Sequence, residues 1–210
     1  MDPTRQRTAA PVVSRRRSAA VPYACAALNV LASLAMACWL RGGLEVAGDP
    51  AARIVYIQAH LFEWRIGWGI WVLAAFSLVA FFAWWGARVK SHDWSVAALA
   101  VAVTGLGFDW AAEAVYIGWF PDRMLTLGRA AALLTGAAGN GLYSVAGMVL
   151  LWKSPMIKGV VRWWGWAVWT TGLCLAVATA QGNAWAMSAL TAVLMVLFCP
   201  WVAVAGRQLR

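Results

Sequence analysis

Six apolar runs, each close to the length a helix needs to cross a bilayer, set the limits on this chain. A transmembrane helix takes about 20 consecutive, mostly apolar residues. The runs lie at about 20–40, 66–86, 95–120, 130–152, 161–180 and 184–205. Lipid offers no hydrogen bonds, so a spanning backbone must satisfy its own N–H and C=O groups, and runs of this length do so as helices. The expected fold is all-α: a polytopic transmembrane bundle of six helices over 20–205. A disordered basic arm precedes it at 1–19 and a cytoplasmic tail follows at 206–210. The first run is too long for the core of a signal peptide and reads as a retained span. One long loop, 41–65, joins the first two spans. The other four loops are short, so neighbouring spans pack as antiparallel hairpins.

Composition agrees with this reading. Hydrophobic residues make up 63% of the chain and charged ones 12%, against roughly half and a quarter in soluble domains. Cys25, Cys38, Cys174 and Cys199 form no CxxC and fall within apolar segments, where cysteine behaves as a small hydrophobe. The net charge of +9 invites a nucleic-acid reading, but the basic residues lie between spans and at the ends, with no recognition motif to gather them. No nucleic-acid partner is expected, since solvated loop ends and anionic lipid headgroups account for the charge.

The placement of that charge sets the orientation. One side carries Arg5, Arg7, Arg15, Arg16, Arg17, Arg88, Lys90, Lys153, Lys158, Arg162, Arg207 and Arg210. The other carries Arg41, Arg53, Arg65, Arg123 and Arg129, with the acids Glu45, Asp49, Glu63 and Asp122. Both termini are therefore expected in the cytoplasm, in a bacterial-type inner membrane. The sixteen tryptophans mostly mark the two interfaces. Trp39, Trp64, Trp68, Trp119 and Trp185 belong to an outer belt; Trp84, Trp85, Trp94, Trp152, Trp163, Trp164, Trp166 and Trp201 belong to an inner one. Trp71, Trp110 and Trp169 lie deep enough to line a site.

The segment GLGFDWAAEAVYIGWF, residues 105–120, breaks the apolar pattern. Asp109 and Glu113 stand one helical turn apart, with Tyr116 or Ile117 continuing the stripe and Trp110 at its border. Each acid costs at least a few kcal/mol at such depth, so the pair must face the bundle interior, water or a partner. The following span reads LLTGAAGNGLYSVAG, with Gly136, Asn140, Ser144 and Gly147 roughly on one face. Counted back from the joining loop, Asp109 is level with Asn140, and Glu113 with Gly136. Small residues let helices approach, or leave a hollow where a third helix holds them apart. Asn140 and Tyr143 can each donate to or accept from a carboxyl group. No lysine or arginine lies at that depth in any span. Two acids this close in a low-dielectric site share a proton in preference to both ionising. The plain alternative is that the acids only bind the neighbouring helix through Asn140 or Tyr143. Asn29 and Thr170 are further polar residues within reach of a central cavity.

A second cluster lies in the long loop. ARIVYIQAHLFEWRIGW, residues 52–68, has helical spacing, and Arg53, Tyr56, His60 and Glu63 share a face. The segment is either an interfacial helix or the start of a tilted second span. In the second case His60 and Glu63 cap the bundle above the acid pair. Their i, i+3 spacing occurs in metal-binding helices, but the only other histidine, His92, falls on the opposite side. No metal and no cofactor is expected.

Phosphate loops, nucleophile elbows, HExxH and haem-ligating histidine pairs do not occur in the sequence. Three readings stay open. In the first, the bundle encloses an apolar pocket for a lipid or lipophilic small molecule. Asp109 and Glu113 then act as acid and base, as in cyclase or isomerase chemistry, and Asn140, Tyr116, Tyr143, Trp110, Trp71, Trp169, His60 and Glu63 contribute to binding. In the second, the chain is a small proton-linked transporter or receptor for an amphiphile, working as a homodimer. In the third, it is an accessory subunit of a larger membrane complex.

Overall fold

The computed structural model describes residues 13–119 and 123–210. The first twelve residues of the expected arm, with Arg5 and Arg7, lie outside them, as does Asp122; so do the side chains of Arg15, Arg16, Arg17 and Trp119. Among the described residues the regular structure is all helical, with no strand. Helix α1 covers Val13–Ala35 and runs on into a π-helical turn, Met36–Leu40. Two short 3₁₀ turns lead to α2, Pro50–Ala59, and α3, Leu61–Gly86. Helix α4, His92–Ala114, ends in a π turn, Val115–Trp119. Helix α5, Met124–Ala132, a π segment, Leu133–Gly139, and α6, Asn140–Lys153, form one continuous rod. Helices α7, Gly159–Gln181, and α8, Ala184–Gln208, complete the chain.

Local chemistry explains the joints. Asp49 caps α2, its Oδ1 accepting from the Ala51 N–H at 3.1 Å, and Pro50 fills the first turn. The 52–68 segment is divided: at His60 φ −124° and ψ 35° leave the helical region, so α2 and α3 are separate helices. Gly182 closes α7 in the left-handed region at φ +72°. Asn183 then opens α8 by accepting from the Ala186 N–H at 3.0 Å.

Five stretches among the described residues are long and apolar enough to cross a membrane: Ala20–Gly43, Leu61–Gly86, His92–Gly118, Thr126–Lys153 and Ala184–Gln208. They mark an integral membrane protein. Helix α7, expected as the fifth of six spans, has 23 residues but is not among them.

The long helices close into a ring: α1 packs on α3, α3 on α4, α4 on α6, α6 on α7, α7 on α8, and α8 back on α1. The start of α1 meets the end of α8, where Arg207 Nε donates to Tyr23 Oη at 3.2 Å and Gly206 abuts the Pro22 ring. We call this the terminal end of the ring and the opposite one the distal end. Toward the terminal end the interior is filled with interlocked aromatic rings. Trp169 stands 5.5 Å from both Phe82 and Trp201, and Phe81, Trp85 and Phe198 pack around them. The Trp85 indole donates to Ser154 Oγ at 2.7 Å and that of Trp201 to the Val161 carbonyl at 2.9 Å. One proline, Pro200, sits inside α8.

The tryptophans divide differently from the expected belts. Trp64, Trp68, Trp84, Trp85 and Trp201 are buried. They turn toward neighbouring helices, where a large flat ring fills the gap that small residues leave. Trp39, Trp94, Trp152, Trp163 and Trp185 are exposed, as belt residues are. Near the terminal end Lys153 Nζ lies 3.8 Å from the Trp152 ring centre, and the Arg88 guanidinium 3.8 Å from that of Trp84. Trp201→Ala is expected to cost about 3–5 kcal/mol of stability, while Trp163→Ala on the exposed face changes it by less than about 0.5 kcal/mol. Thermal unfolding of both variants in the same detergent measures the contrast.

Candidate functional site

Helix α4 buries both acids: Asp109 is 3% exposed and Glu113 1%. They lie in the seam between α4 and the rod formed by the π segment and α6. Glycines let the two backbones close there. A Cβ added to Gly105 would meet the Gly139 carbonyl oxygen at 3.3 Å, and one added to Gly139 would stand 2.6 Å from Asp109 Oδ1. The Asp109 carboxyl is therefore seated against the Gly139 backbone, with Thr135 and Tyr143 as polar neighbours.

Level counting placed Asn140 at the depth of Asp109 and Gly136 at that of Glu113; the residue seated against Asp109 is Gly139, one position before Asn140, and Asn140 shares the Asp109 cavity. A π segment carries an extra residue per turn, which rotates the residues before it relative to those after it. Gly139 thus faces Asp109. The small-residue stripe turns to α7 instead: Gly136 abuts Thr179, Ser144 abuts Gly172, and Gly147 abuts Trp169. Neither oxygen of Glu113 has a hydrogen-bond partner, and neither acid forms an ion pair among the described residues.

Asp109 opens onto a narrow cavity of about 60 Å³. Asn29, Thr135, Asn140, Tyr143 and Ser144 line it with polar groups, and Trp71 and Trp169 with ring faces. Most of the polar groups are tied to backbone. Asn29 Nδ2 donates to the Cys25 carbonyl at 2.9 Å, Asn140 Nδ2 to the Thr135 carbonyl at 3.3 Å, and Ser144 Oγ to the Asn140 carbonyl at 2.7 Å. The Tyr143 hydroxyl and the Trp169 indole N–H are buried without a partner.

Trp71, Thr135, Asn140 and Met195 also border a larger chamber of about 670 Å³ in the distal half of the ring. That volume falls within the roughly 300–1,000 Å³ of small-molecule sites. Its lining is largely apolar and comes from α1 and its π turn, the Leu133–Gly139 segment, the end of α7 and the distal half of α8. Tyr116, stacked on Trp68 at 4.1 Å, forms part of the wall. At the distal rim stand Arg41, Glu45 and Arg53. Arg53 Nε donates to the Gly43 carbonyl at 3.1 Å; partial burial pulls its pKa down while Glu45 pushes it up. On one side the lining includes Ala37 of the π turn and Ala192 and Val196 of α8. All three are exposed, Val196 at 73%, so the chamber opens sideways between α1 and α8.

Of the residues expected at a site, Asp109, Asn140, Tyr143, Trp71 and Trp169 share the narrow cavity, and Tyr116 lines the chamber. Asn29 reaches the cavity, while Thr170 is exposed. Glu113 lies in the seam one turn from Asp109 and lines neither space. Trp110 stands apart on the outside of the ring, 55% exposed and edge-on to Phe76 at 5.5 Å, because successive helical residues point about 100° apart. His60 and Glu63 also stand apart. His60 is exposed at the α2–α3 break and stacked on Tyr56 at 4.4 Å. No cluster of His, Cys, Asp and Glu suited to a metal occurs among the described residues. Thr135, Gly139 and the two rim arginines were not foreseen as site residues. The first two depend on a π segment that periodicity does not reveal, and the rim depends on how the 41–60 region folds back.

Gly139→Ala is expected to lower stability by about 1–3 kcal/mol, because the new methyl group collides with the Asp109 carboxyl. Gly141→Ala, whose Cβ would meet Ala176 at an ordinary 3.6 Å, is expected to be tolerated without loss; paired melting curves decide. Comparison with known proteins gives no match, whether to a protein-family model, a curated protein or a solved structure.

Proposed function

We propose that this protein takes a lipophilic small molecule into its distal chamber and acts on it with Asp109 as the proton-transferring group, in chemistry of the isomerase or cyclase type. The observation that carries this reading is Glu113: fully buried, with both oxygens unpartnered, one turn from an acid that opens onto a cavity. Polar side chains that serve only to hold membrane helices together make hydrogen bonds across the interface. Glu113 makes none.

The chemistry follows from the neighbours. Asp109 gives its proton to a double bond or oxygen of the occupant, and the positive charge that develops is steadied by the faces of Trp71 and Trp169. Loss of a proton from an adjacent carbon back to the acid pair completes an isomerisation with no net change in protons. Glu113 opposes a second negative charge beside Asp109, so the pair holds at most one. The ring closes within a single chain, and the site needs no second copy. Replacing Asp109 by Asn and Glu113 by Gln is the test. Sites that store unpaired groups do so at the expense of stability. Glu113→Gln is therefore expected to keep or raise Tm, and both variants to lose turnover of a lipophile identified by native mass spectrometry of the purified native protein. A lower Tm in both with turnover intact would leave the acids as structural contacts.

In the same proposal α7 also crosses the membrane, as the fifth of six spans, since it packs between α6 and α8, and both termini face the cytoplasm of an inner membrane, as the lysine and arginine distribution favours. Asp49 and Lys158 are exposed at opposite ends. In a background without native cysteines, a membrane-impermeant maleimide applied to intact cells is expected to label Asp49→Cys at once. Lys158→Cys is expected to react only after permeabilisation. The reverse pattern would invert the topology.

A further inference from the structure

The charge around the chamber is divided by depth. The carboxyl group of Asp109 lies in the narrow cavity, which shares Trp71, Thr135, Asn140 and Met195 with the chamber, while the guanidinium groups of Arg41 and Arg53 stand at the distal rim, where Glu45 is the one acid among the described lining residues. Arg53 uses Nε to hold the Gly43 carbonyl. Its other two nitrogens make no hydrogen bond, and Arg41 makes none with its side chain, among the described residues. Neither forms an ion pair with Glu45. Between rim and cavity the walls are largely apolar, and they open sideways between α1 and α8.

We infer that the occupant is a long-chain amphiphile with an anionic head, the head held by Arg41 and Arg53 and the chain reaching down the chamber toward Asp109. The inference rests on the reading that the chamber holds a lipophile, and it adds which kind. A guanidinium fork matches a carboxylate or phosphate. The narrow cavity offers that anionic group no cation among its described lining residues, so the charge pattern favours one orientation: head at the rim, chain inward. An amphiphile in a leaflet already lies this way, with its head at the interface and its chain at the depth of the side opening. It can pass between α1 and α8 without turning over or leaving the membrane.

The experiment measures binding of three probes of one chain length, hexadecanoate, hexadecyl phosphate and hexadecanol, to the full chain in phosphatidylcholine nanodiscs by native mass spectrometry. The anionic probes are expected to bind at least tenfold more tightly than the alcohol, and the better of the two identifies the head. Arg41→Gln with Arg53→Gln is expected to bring that preference below threefold, and Lys158→Gln, exposed at the terminal end, to leave it unchanged. Arg41→Gln alone, which removes no hydrogen bond from the protein, is expected to lose at least threefold and covers the case in which the double variant fails to fold. Equal binding of alcohol and acid, or full preference in the arginine variants, overturns the anionic head and leaves the lipophile reading in place. Absence of binding by all three probes, or binding indifferent to Ala192→Trp in the chamber wall, overturns both.

Discussion

Hydrocarbon accepts no hydrogen bonds, and the arrangement of this protein follows from where it puts polar groups under that constraint. The backbone answers by forming helices. Buried hydroxyls answer by bonding back along their own helix, as Ser144 does to the Asn140 carbonyl and Thr179 to the Leu175 carbonyl at 2.9 Å. Arginines at the helix ends answer by reaching exposed carbonyls: Arg129 donates to those of Thr179 and Ala180 at 2.8 and 2.9 Å, tying α5 to the end of α7. A carboxyl group has no such local solution. Among the described carboxyl groups in the spans, Glu113 is the one for which the constraint stays unresolved, with both oxygens buried and unpartnered, while Asp109 one turn away opens onto the narrow cavity.

The open space is built in. The terminal half of the ring is filled by interlocked aromatic rings, whereas in the distal half the aromatic cluster of Trp64, Trp68 and Tyr116 sits to one side and leaves a chamber beside it. The three π-helical segments, Met36–Leu40, Val115–Trp119 and Leu133–Gly139, each contribute lining to the chamber. Such segments widen a helix locally and change which residues it presents. Here they supply Met36, Tyr116 and Thr135 to the wall, positions that an unbroken α-helix would turn elsewhere.

Much of this was legible in the sequence, and the reasons for the rest are physical. Lengths of apolar runs gave the helices, because the bilayer imposes a length and lipid imposes a composition. The acid pair was legible because a carboxyl group at that depth has no inexpensive explanation. Burial of both acids, and the convergence of Asn140, Tyr143, Trp71 and Trp169, follow from helical spacing and hairpin packing alone. The direction in which the small-residue stripe of the fourth span faces did not follow, since a single π segment changes the phase of everything before it, and nothing in LLTGAAG signals one. Trp110 misled for a related reason: depth in the membrane says nothing about which way a residue faces. The buried tryptophans near the helix ends misled because a belt residue and a core residue can share one depth.

Pro200 sits near the edge of the side opening. A proline inside a helix lacks the N–H that would bind the carbonyl four residues earlier, here that of Val196. Below this point α8 is anchored to α1 through Gly206 and Pro22 and through Arg207 and Tyr23. Above it the helix borders the chamber. The α8 backbone thus lacks one hydrogen bond near the edge of the aperture, at the junction between its anchored half and the half that borders the chamber.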